Sequence, residues 1–393
     1  MITSSIVLFG VIMLCLPINY RNYWKYASLI LTIVAGFYFF YDPPSVGDLY
    51  RHYLLLDDIR SYGWNVSGAM QHMLDRYWNE SPAFILLLLV ESIFPYNGFL
   101  PFFVAALYYN TVLYGIHLVK SLGNAQEGTD KIAVISLLLC TDYRSFEGIR
   151  NSLACALFLL GAYLDLIKGK KIGFLFYIAA ALIHSIGFIY IIIRVLMIFY
   201  NKKSRYFLLL GTFLLPFILT VTANGLETIT SNIPVISKMT SRFQLYAVEG
   251  AGLGIFSEHW RILNTVTYVF LYLISWVYEI TFDKNNQYTK FFRFFTLLML
   301  FTFGFYEQRE LFERERFLIM PLGIIFSSLL KQASFKRFPF TVNLIEGRYT
   351  FSVISPFFYY AFIFWAVLYF ILLSLLSYPL DENMYDVWKF PIS

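Results

Sequence analysis

Long apolar runs separated by short polar turns set the pattern of this chain: 5–17, 26–41, 83–94, 99–118, 150–167, 172–200, 206–222, 262–280, 291–306, 317–330 and 354–378. Singly or tilted, the longer runs suffice to cross a hydrocarbon core of about 30 Å. The pattern predicts an all-α chain, a polytopic transmembrane helical bundle of roughly ten to twelve spans forming one integral membrane domain over 1–393. Composition agrees: 59% of residues are apolar, 14% are charged and the mean hydropathy is +0.62. A soluble domain carries about 25% charged residues, so the surplus apolar surface belongs in lipid. No internal repeat, low-complexity linker or second domain interrupts the series. The first run lacks a preceding basic region and a small-residue cleavage site, and reads as a retained helix.

Charge places the turns. The turn with Arg21 and Lys25 reads as cytoplasmic, which sets the amino terminus outside. The second helix stops at Asp42-Pro43-Pro44, because proline cannot continue it. The external connection 42–81 follows, with apolar residues at Leu49, Tyr53, Leu56 and Ile59, the spacing of an amphipathic helix on the bilayer surface. Asp48 and Arg51 share one side of that helix. Segment 82–94 is short and reads as half-buried or re-entrant. From there 99–118 enters, 132–141 exits and 150–167 returns to the lysine turn Lys168–Lys171. Segment 172–200 is long for one span, and the turn at 201–205 again reads as cytoplasmic. Either it is a broken hairpin near His184–Gly187, or the positive-inside tendency fails there.

One regularity follows. The inner turns are rich in lysine: 25, 120, 131, 168, 170, 171, 202, 203, 284, 290, 331 and 336. The outer loops hold Arg51, Arg60, Arg76, Arg144, Arg150, Arg242, Arg261, Arg309, Arg314 and Arg316, with Lys238 their single lysine. Lysine suffices to retain a loop in the cytoplasm, whereas arginine grips phosphate or carboxylate with a planar fork that stays charged. The alternative is that these arginines pair with Asp48, Asp57, Asp75, Glu147, Glu310 and Glu313 and only hold loops together.

Candidate chemistry gathers at 139–194 and 306–316. Arg150 opens a helix as GIRNSLA, with Arg144 six residues upstream. Free amides and the positive dipole end there suit a diphosphate, against the plainer reading of an Arg150–Glu147 pair at i,i+3. His184 lies about 20 Å along a helix from Lys171, deep in an apolar run, where it is a core residue or a proton-handling one. Asp142 shares the short external connection 142–149. In YEQRELFERER, Arg314 and Arg316 precede a new helix, though the pairs Glu310–Arg314 and Glu313–Arg316 also describe a self-neutralised turn. The loop 223–260 adds Arg242, Glu249, Glu258 and His259 and reads as a cover over the acceptor.

Cys15, Cys140 and Cys155 have no CxxC spacing and read as core fillers. The 42 Phe and 31 Tyr suit interfacial belts or a sugar-stacking cavity. No HExxH, metal-type DxD, P-loop or GxSxG occurs, which argues against a metalloprotease, a cytosolic nucleotide-sugar transferase, an ATPase and a serine hydrolase.

Over most of its length the chain resembles the EpsG branch of the Wzy-type polysaccharide polymerases. The resemblance rests on PP-x-x-x-D-L-Y-R (Pro43, Pro44, Asp48, Tyr50, Arg51) and R-N-S-L-A opening a span (Arg150, Asn151, Ala154). It continues with A-x-x-I-H-S (Ala180, His184, Ser185) and E-R-x-R-F (Glu313, Arg314, Arg316, Phe317) before a late span. It implies a metal-independent, cofactor-free glycosyltransferase of the multi-spanning, GT-C-like type, inverting or retaining, in the bacterial cytoplasmic membrane. That enzyme would join undecaprenyl-diphosphate-linked repeat units on the outer face, one unit as donor and one as acceptor. Membrane lipid, a chain-length regulator and a flippase would be its partners, and nucleic acid would not. Arg150 and Arg316 would hold the diphosphate with Arg144 and Arg314 in support, and His184 or Asp142 would be the base. Asp48 and Arg51 would position the acceptor, under the loop carrying Arg242. The loops 42–81, 142–149, 223–260 and 306–316 would form the mouth. A lipid-linked oligosaccharide ligase uses the same donor and remains open. A transporter for the lipid-linked unit would instead show repeats and midplane charges, and a sugar acyltransferase would pair a histidine with a cytosolic acyl-CoA.

Overall fold

The computed structural model describes residues 2–18, 22–43, 47–63, 65–73, 81–121, 131–141, 146, 148–200, 205–230, 258–281, 287–306, 312, 315–332, 337–344, 347–354, 360–365, 367–369 and 371–372. Among the described residues, three helices are long and apolar enough to cross a membrane: Tyr23–Phe40, Phe99–Leu118 and Ile149–Ile167. Shorter apolar helices accompany them. The helices are α1 (Ile2–Cys15), α2 (Tyr23–Gly36), α3 (Asp48–Ser61), α4 (Val66–Met73), α5 (Pro82–Glu91), α6 (Phe99–Ser121) and α7 (Lys131–Cys140). They continue with α8 (Ile149–Ala162, extended by a π turn at Tyr163–Ile167), α9 (Gly173–Ile183), α10 (Ile186–Leu196), α11 (Arg205–Thr230), α12 (Glu258–Thr281), α13 (Gln287–Gly304) and α14 (Arg316–Gln332).

The expectation of a purely helical chain needs one correction. Arg337–Leu344 and Gly347–Ile354 form an antiparallel hairpin, β1 and β2, in which Arg337 pairs with Ile354 and Leu344 with Gly347. The sequence carries the cause: Phe338, Phe340, Val342 and Leu344 alternate with Pro339, Thr341 and Asn343, and Tyr349, Phe351 and Val353 with Thr350 and Ser352. That period of two suits strands.

Side-chain contacts fix how the helices run. Trp24 stacks on His117 with centroids 5.1 Å apart, Asn110 Nδ2 donates to Thr32 Oγ1 at 3.1 Å, and Phe39 meets Phe99 at 4.8 Å. So α2 and α6 are antiparallel. Tyr114 meets Tyr163 at 6.0 Å, which makes α6 and α8 parallel. Phe291 lies 5.8 Å from Tyr163 and Phe294 5.3 Å from Phe158, so α13 opposes α8. Tyr268 packs 6.4 Å from Phe303 and Ser275 Oγ lies 3.0 Å from Thr296 Oγ1, so α12 opposes α13.

In this frame Arg150, Arg261 and Arg316, which stand at or near the starts of α8, α12 and α14, lie toward one end. Lys25, Lys131, Lys168 and Lys290 lie toward the other. The separation of arginine from lysine read along the sequence is therefore a separation in space for these residues.

The α9–α10 segment settles as a broken hairpin. Gly161 and Gly173 meet backbone to backbone, since a Cβ on Gly173 would stand 2.6 Å from the Gly161 carbonyl oxygen. Phe158 stacks on Tyr177 at 4.6 Å, so α9 runs back along α8. At His184 the chain leaves the helix, with φ −150° and ψ 139°. Then α10 reverses direction: Tyr190 Oη lies 3.4 Å from Cys155 Sγ, and Arg194 Nε donates to Asp165 Oδ2 at 2.6 Å. Tyr177 Oη also donates to Asp165 Oδ2, at 3.1 Å, clamping both arms of the hairpin to the π turn. The hairpin thus starts and finishes at the lysine end, with His184 at its tip.

Candidate functional site

Two helices shape the rim at the arginine end. On α3, Leu49, His52, Leu55, Leu56 and Ile59 are buried, the stripe that period 3.6 places on one face. On the other face Asp48 and Arg51 form an ion pair of 3.6 Å whose side chains are 46% and 69% exposed. Helix α5 lies alongside, as Arg60 Nε donates to the Phe94 carbonyl oxygen at 3.0 Å. Ten residues cannot span the bilayer, in keeping with a half-buried segment. The Phe84 ring of α5 meets His52 at 4.9 Å and carries the Arg150 guanidinium 6.0 Å from its centroid, a cation–π approach. Burial holds the His52 imidazole well below its usual range, and Arg150 and Arg51 add to the effect. The ring is neutral at physiological pH.

His184 reaches the same level. Arg150 stands eleven positions before Gly161 along α8, and His184, at the end of α9, eleven after Gly173, so the antiparallel pair brings Arg150 and His184 to one height. The ring is buried, and its Nδ1 accepts the Ile186 backbone N–H at 3.1 Å. An amide can only donate, so Nδ1 serves as acceptor and the neutral ring carries its proton on Nε2. In that state His184 offers a donor and cannot take a second proton through Nδ1 without losing the cap on α10.

Further in lies a second polar cluster. Cys155 follows Arg150 by five residues, about 7.5 Å along the helix. Around it stand Tyr190 from α10, Tyr108 from α6, and Glu315 with Arg316 at the start of α14. Tyr190 and Cys155 lie within electrostatic range of Glu315, and Tyr108 within that of Arg316. Glu315 is 2% exposed and Arg316 8%. Among the described residues, Glu315 Oε2 and Asn151 Oδ1 are buried with no hydrogen-bond partner. Asn151 lies one turn outward of Cys155 on the same face of α8. Glu315 sits in the turn outside the spanning helices, where burial pushes its carboxyl up to about 8 against the opposing pull of the Tyr190 hydroxyl.

Of the residues expected from sequence, Arg150, His184 and Arg316 lie toward this end of the helices, and Asp48 with Arg51 lies exposed on the rim helix. Asp142, Arg144, Arg242 and Arg314 fall outside the described residues, as do Glu147 and Glu313. Two residues escaped sequence reasoning. His52 is masked by its place in an apolar stripe, although a polar residue on that face was the available signal. Glu315 reads as one more charge in an alternating turn, and nothing local distinguishes it from its neighbours. Among the described residues no three His, Cys, Asp or Glu side chains are grouped as a metal site requires.

Comparison with known proteins yields one match. No curated protein and no solved structure matches the chain significantly. The profile of the EpsG family covers residues 48–380, a stretch that contains the rim helix, α8, the hairpin and the start of α14. The chain is thus a membrane protein that belongs to the EpsG family, whose broad role is polysaccharide polymerisation by glycosyltransferase-like enzymes.

Proposed function

We propose that the chain polymerises undecaprenyl-diphosphate-linked repeat units into O-antigen, capsular or exopolysaccharide at the outer face of the bacterial cytoplasmic membrane. In this reading 1–393 is one polytopic domain of roughly ten to twelve spans in a GT-C-like arrangement, with its lysine end in the cytoplasm. What supports it is the placement of Arg150 and Arg316, at the starts of α8 and α14, toward the end opposite the lysines. Fixed guanidinium charge there suits a diphosphate leaving group, whose charge develops in the transition state.

The reaction joins the acceptor hydroxyl oxygen to the donor's anomeric carbon. The bond from that carbon to the diphosphate oxygen breaks, and its electron pair stays on the diphosphate. The hydroxyl proton passes to a base. Arg150, beside the free amides opening α8, grips the diphosphate from the rim, and Arg316 grips it from below. Arg144 and Arg314 assist from their loops. The hydrogen bond at Nδ1 favours His184 as a donor to phosphate oxygen through Nε2–H, and disfavours it as the base. Asp48 and Arg51 orient the acceptor at the rim, with Arg242 in support; of the stretch 223–260, the residues 223–230 and 258–260 are helical, as the end of α11 and the start of α12. Holding two lipid-anchored substrates in one cavity supplies orientation that dilute reactants lack. A chain-length regulator and a flippase would be its protein partners.

The test is ladder formation by purified protein from a synthetic undecaprenyl-diphosphate repeat unit, beside folded Arg150→Ala and Arg316→Ala. Ladders from the wild type that both substitutions abolish are expected. A single transfer to an unrelated acceptor, without ladders, would select the ligase instead. The α9–α10 discontinuity is a feature that a transporter for the lipid-linked unit would share. Movement of the unit across vesicles without glycan transfer would select that reading.

A further inference from the structure

A buried carboxylate with an unsatisfied oxygen calls for a physical reason. Leaving a buried acceptor unpaired costs about 1–3 kcal/mol, more for a charged group, and native folds rarely keep such groups without a use. Two such acceptors are Glu315 Oε2 and, one turn outward of Cys155 on α8, Asn151 Oδ1. With Glu315 ionised both are acceptors, and what satisfies a pair of acceptors is a ligand rich in O–H donors. A sugar ring meets that description, whereas a diphosphate brings only further acceptors.

The groups facing Glu315 sort its role further. Tyr190 from α10 and Cys155 from α8, 3.4 Å apart, both lie within electrostatic range of it, and Arg316 follows it in the chain. His184 has committed Nδ1 to the backbone of α10, which leaves the cluster's proton acceptor to be found elsewhere. We propose that Glu315 is the base of the transfer, taking the proton of the incoming sugar hydroxyl on Oε2 while Asn151 accepts a neighbouring hydroxyl of the same acceptor sugar.

This assignment rests on the polymerase reading above. In the step, the acceptor O–H bond breaks to leave its electron pair on oxygen, and that oxygen bonds to the anomeric carbon. The diphosphate departs with the pair from the broken glycosyl bond, and Glu315 holds the proton as neutral carboxylic acid. A carboxyl lifted toward neutrality by burial is well matched to this work. Tyr190 acts as a positioning residue.

The experiment measures initial ladder rates for full-length protein in detergent across about pH 6 to pH 9.5, with binding of the labelled undecaprenyl-diphosphate unit followed in parallel. The wild-type rate should rise with pH and level off above about 8, where Glu315 is ionised. Glu315→Gln should bind donor as the wild type does yet polymerise at least ~10²-fold more slowly, without that limb. Glu315→Asp should recover part of the rate. Tyr190→Phe, which leaves the charge in place, should move the limb to higher pH, because the tyrosine hydroxyl favours the ionised form of the carboxyl. Wild-type rates in Glu315→Gln, an unshifted limb in Tyr190→Phe, or donor binding lost together with rate would each overturn the assignment. A wild-type protein that binds the unit but forms no ladder would remove the reaction itself, and the role of Glu315 with it.

Discussion

Substituting Gly187 by alanine tests whether the hairpin tip is held as closely as the geometry requires. A Cβ at that position would stand 2.6 Å from Ala181 N, 2.7 Å from Ala180 C and 2.7 Å from Ala181 Cα. All three atoms are backbone, so no rotamer change relieves the contact. Reaching ordinary contact of about 3.5 Å requires α9 and α10 to part by about 1 Å at the tip. Overpacking of this kind costs roughly 1–3 kcal/mol, and alanine's better helix propensity returns at most about 1 kcal/mol. The expected net loss is ~2 kcal/mol, read from the unfolding midpoint in mixed micelles. The tip carries His184, so the same displacement should lower the ladder rate, by on the order of 10²-fold if alignment of the reacting atoms is disturbed. Gly211→Ala is the control: that helical glycine has nothing within 4 Å of an added Cβ, and alanine there should stabilise slightly. A Gly187→Ala protein with wild-type midpoint and wild-type rate would refute the close hairpin.

Three further outcomes are expected. Asp165→Ala strands Arg194, 18% exposed and paired at 2.6 Å, and should cost ~3–5 kcal/mol in the same unfolding assay, while Asp165→Leu with Arg194→Met should recover most of it. Histidine 184 divides by nitrogen: His184→Asn supplies an acceptor in place of Nδ1 and should keep stability but lose ladder rate. His184→Gln supplies a donor in place of Nε2 and should lose about 1 kcal/mol of capping while keeping more activity. Equal stability of the two variants would argue against the cap. The Glu315 carboxyl, raised on folding to about 8 from an unfolded value of ~4.3, binds its proton more tightly in the folded state. Its contribution to stability is therefore full below the unfolded value and lost as pH rises through about 8. Unfolding midpoints of wild type and Glu315→Gln should diverge between those limits, the wild type falling with pH and the variant falling less.

The sequence by itself determined the helical membrane class, the placing of lysine and arginine in different turns, and the emphasis on Arg150, His184 and Arg316. Each depends on local chemistry: burial of apolar runs, the desolvation cost of charge, and the donor geometry of guanidinium. It also posed the hairpin at 172–200 as one of two solutions, because turn charge constrains which side the chain returns to but not how. Only the tertiary structure decided that question, through Gly161 against Gly173 and Gly187 against the backbone of α9, contacts that no periodicity encodes. It likewise supports the proton acceptor proposed above. His184 looked like a base while its ring nitrogens were unassigned, and the Ile186 amide claims one of them. Glu315 looked like a surface charge because its neighbours in sequence are charged, yet its neighbours in space are Tyr190 and Cys155. The β1–β2 hairpin was legible in alternation that the surrounding apolar runs obscured. Residues distant in sequence set the dielectric and hydrogen-bond partners of each titratable group, and those two quantities decide which group accepts a proton.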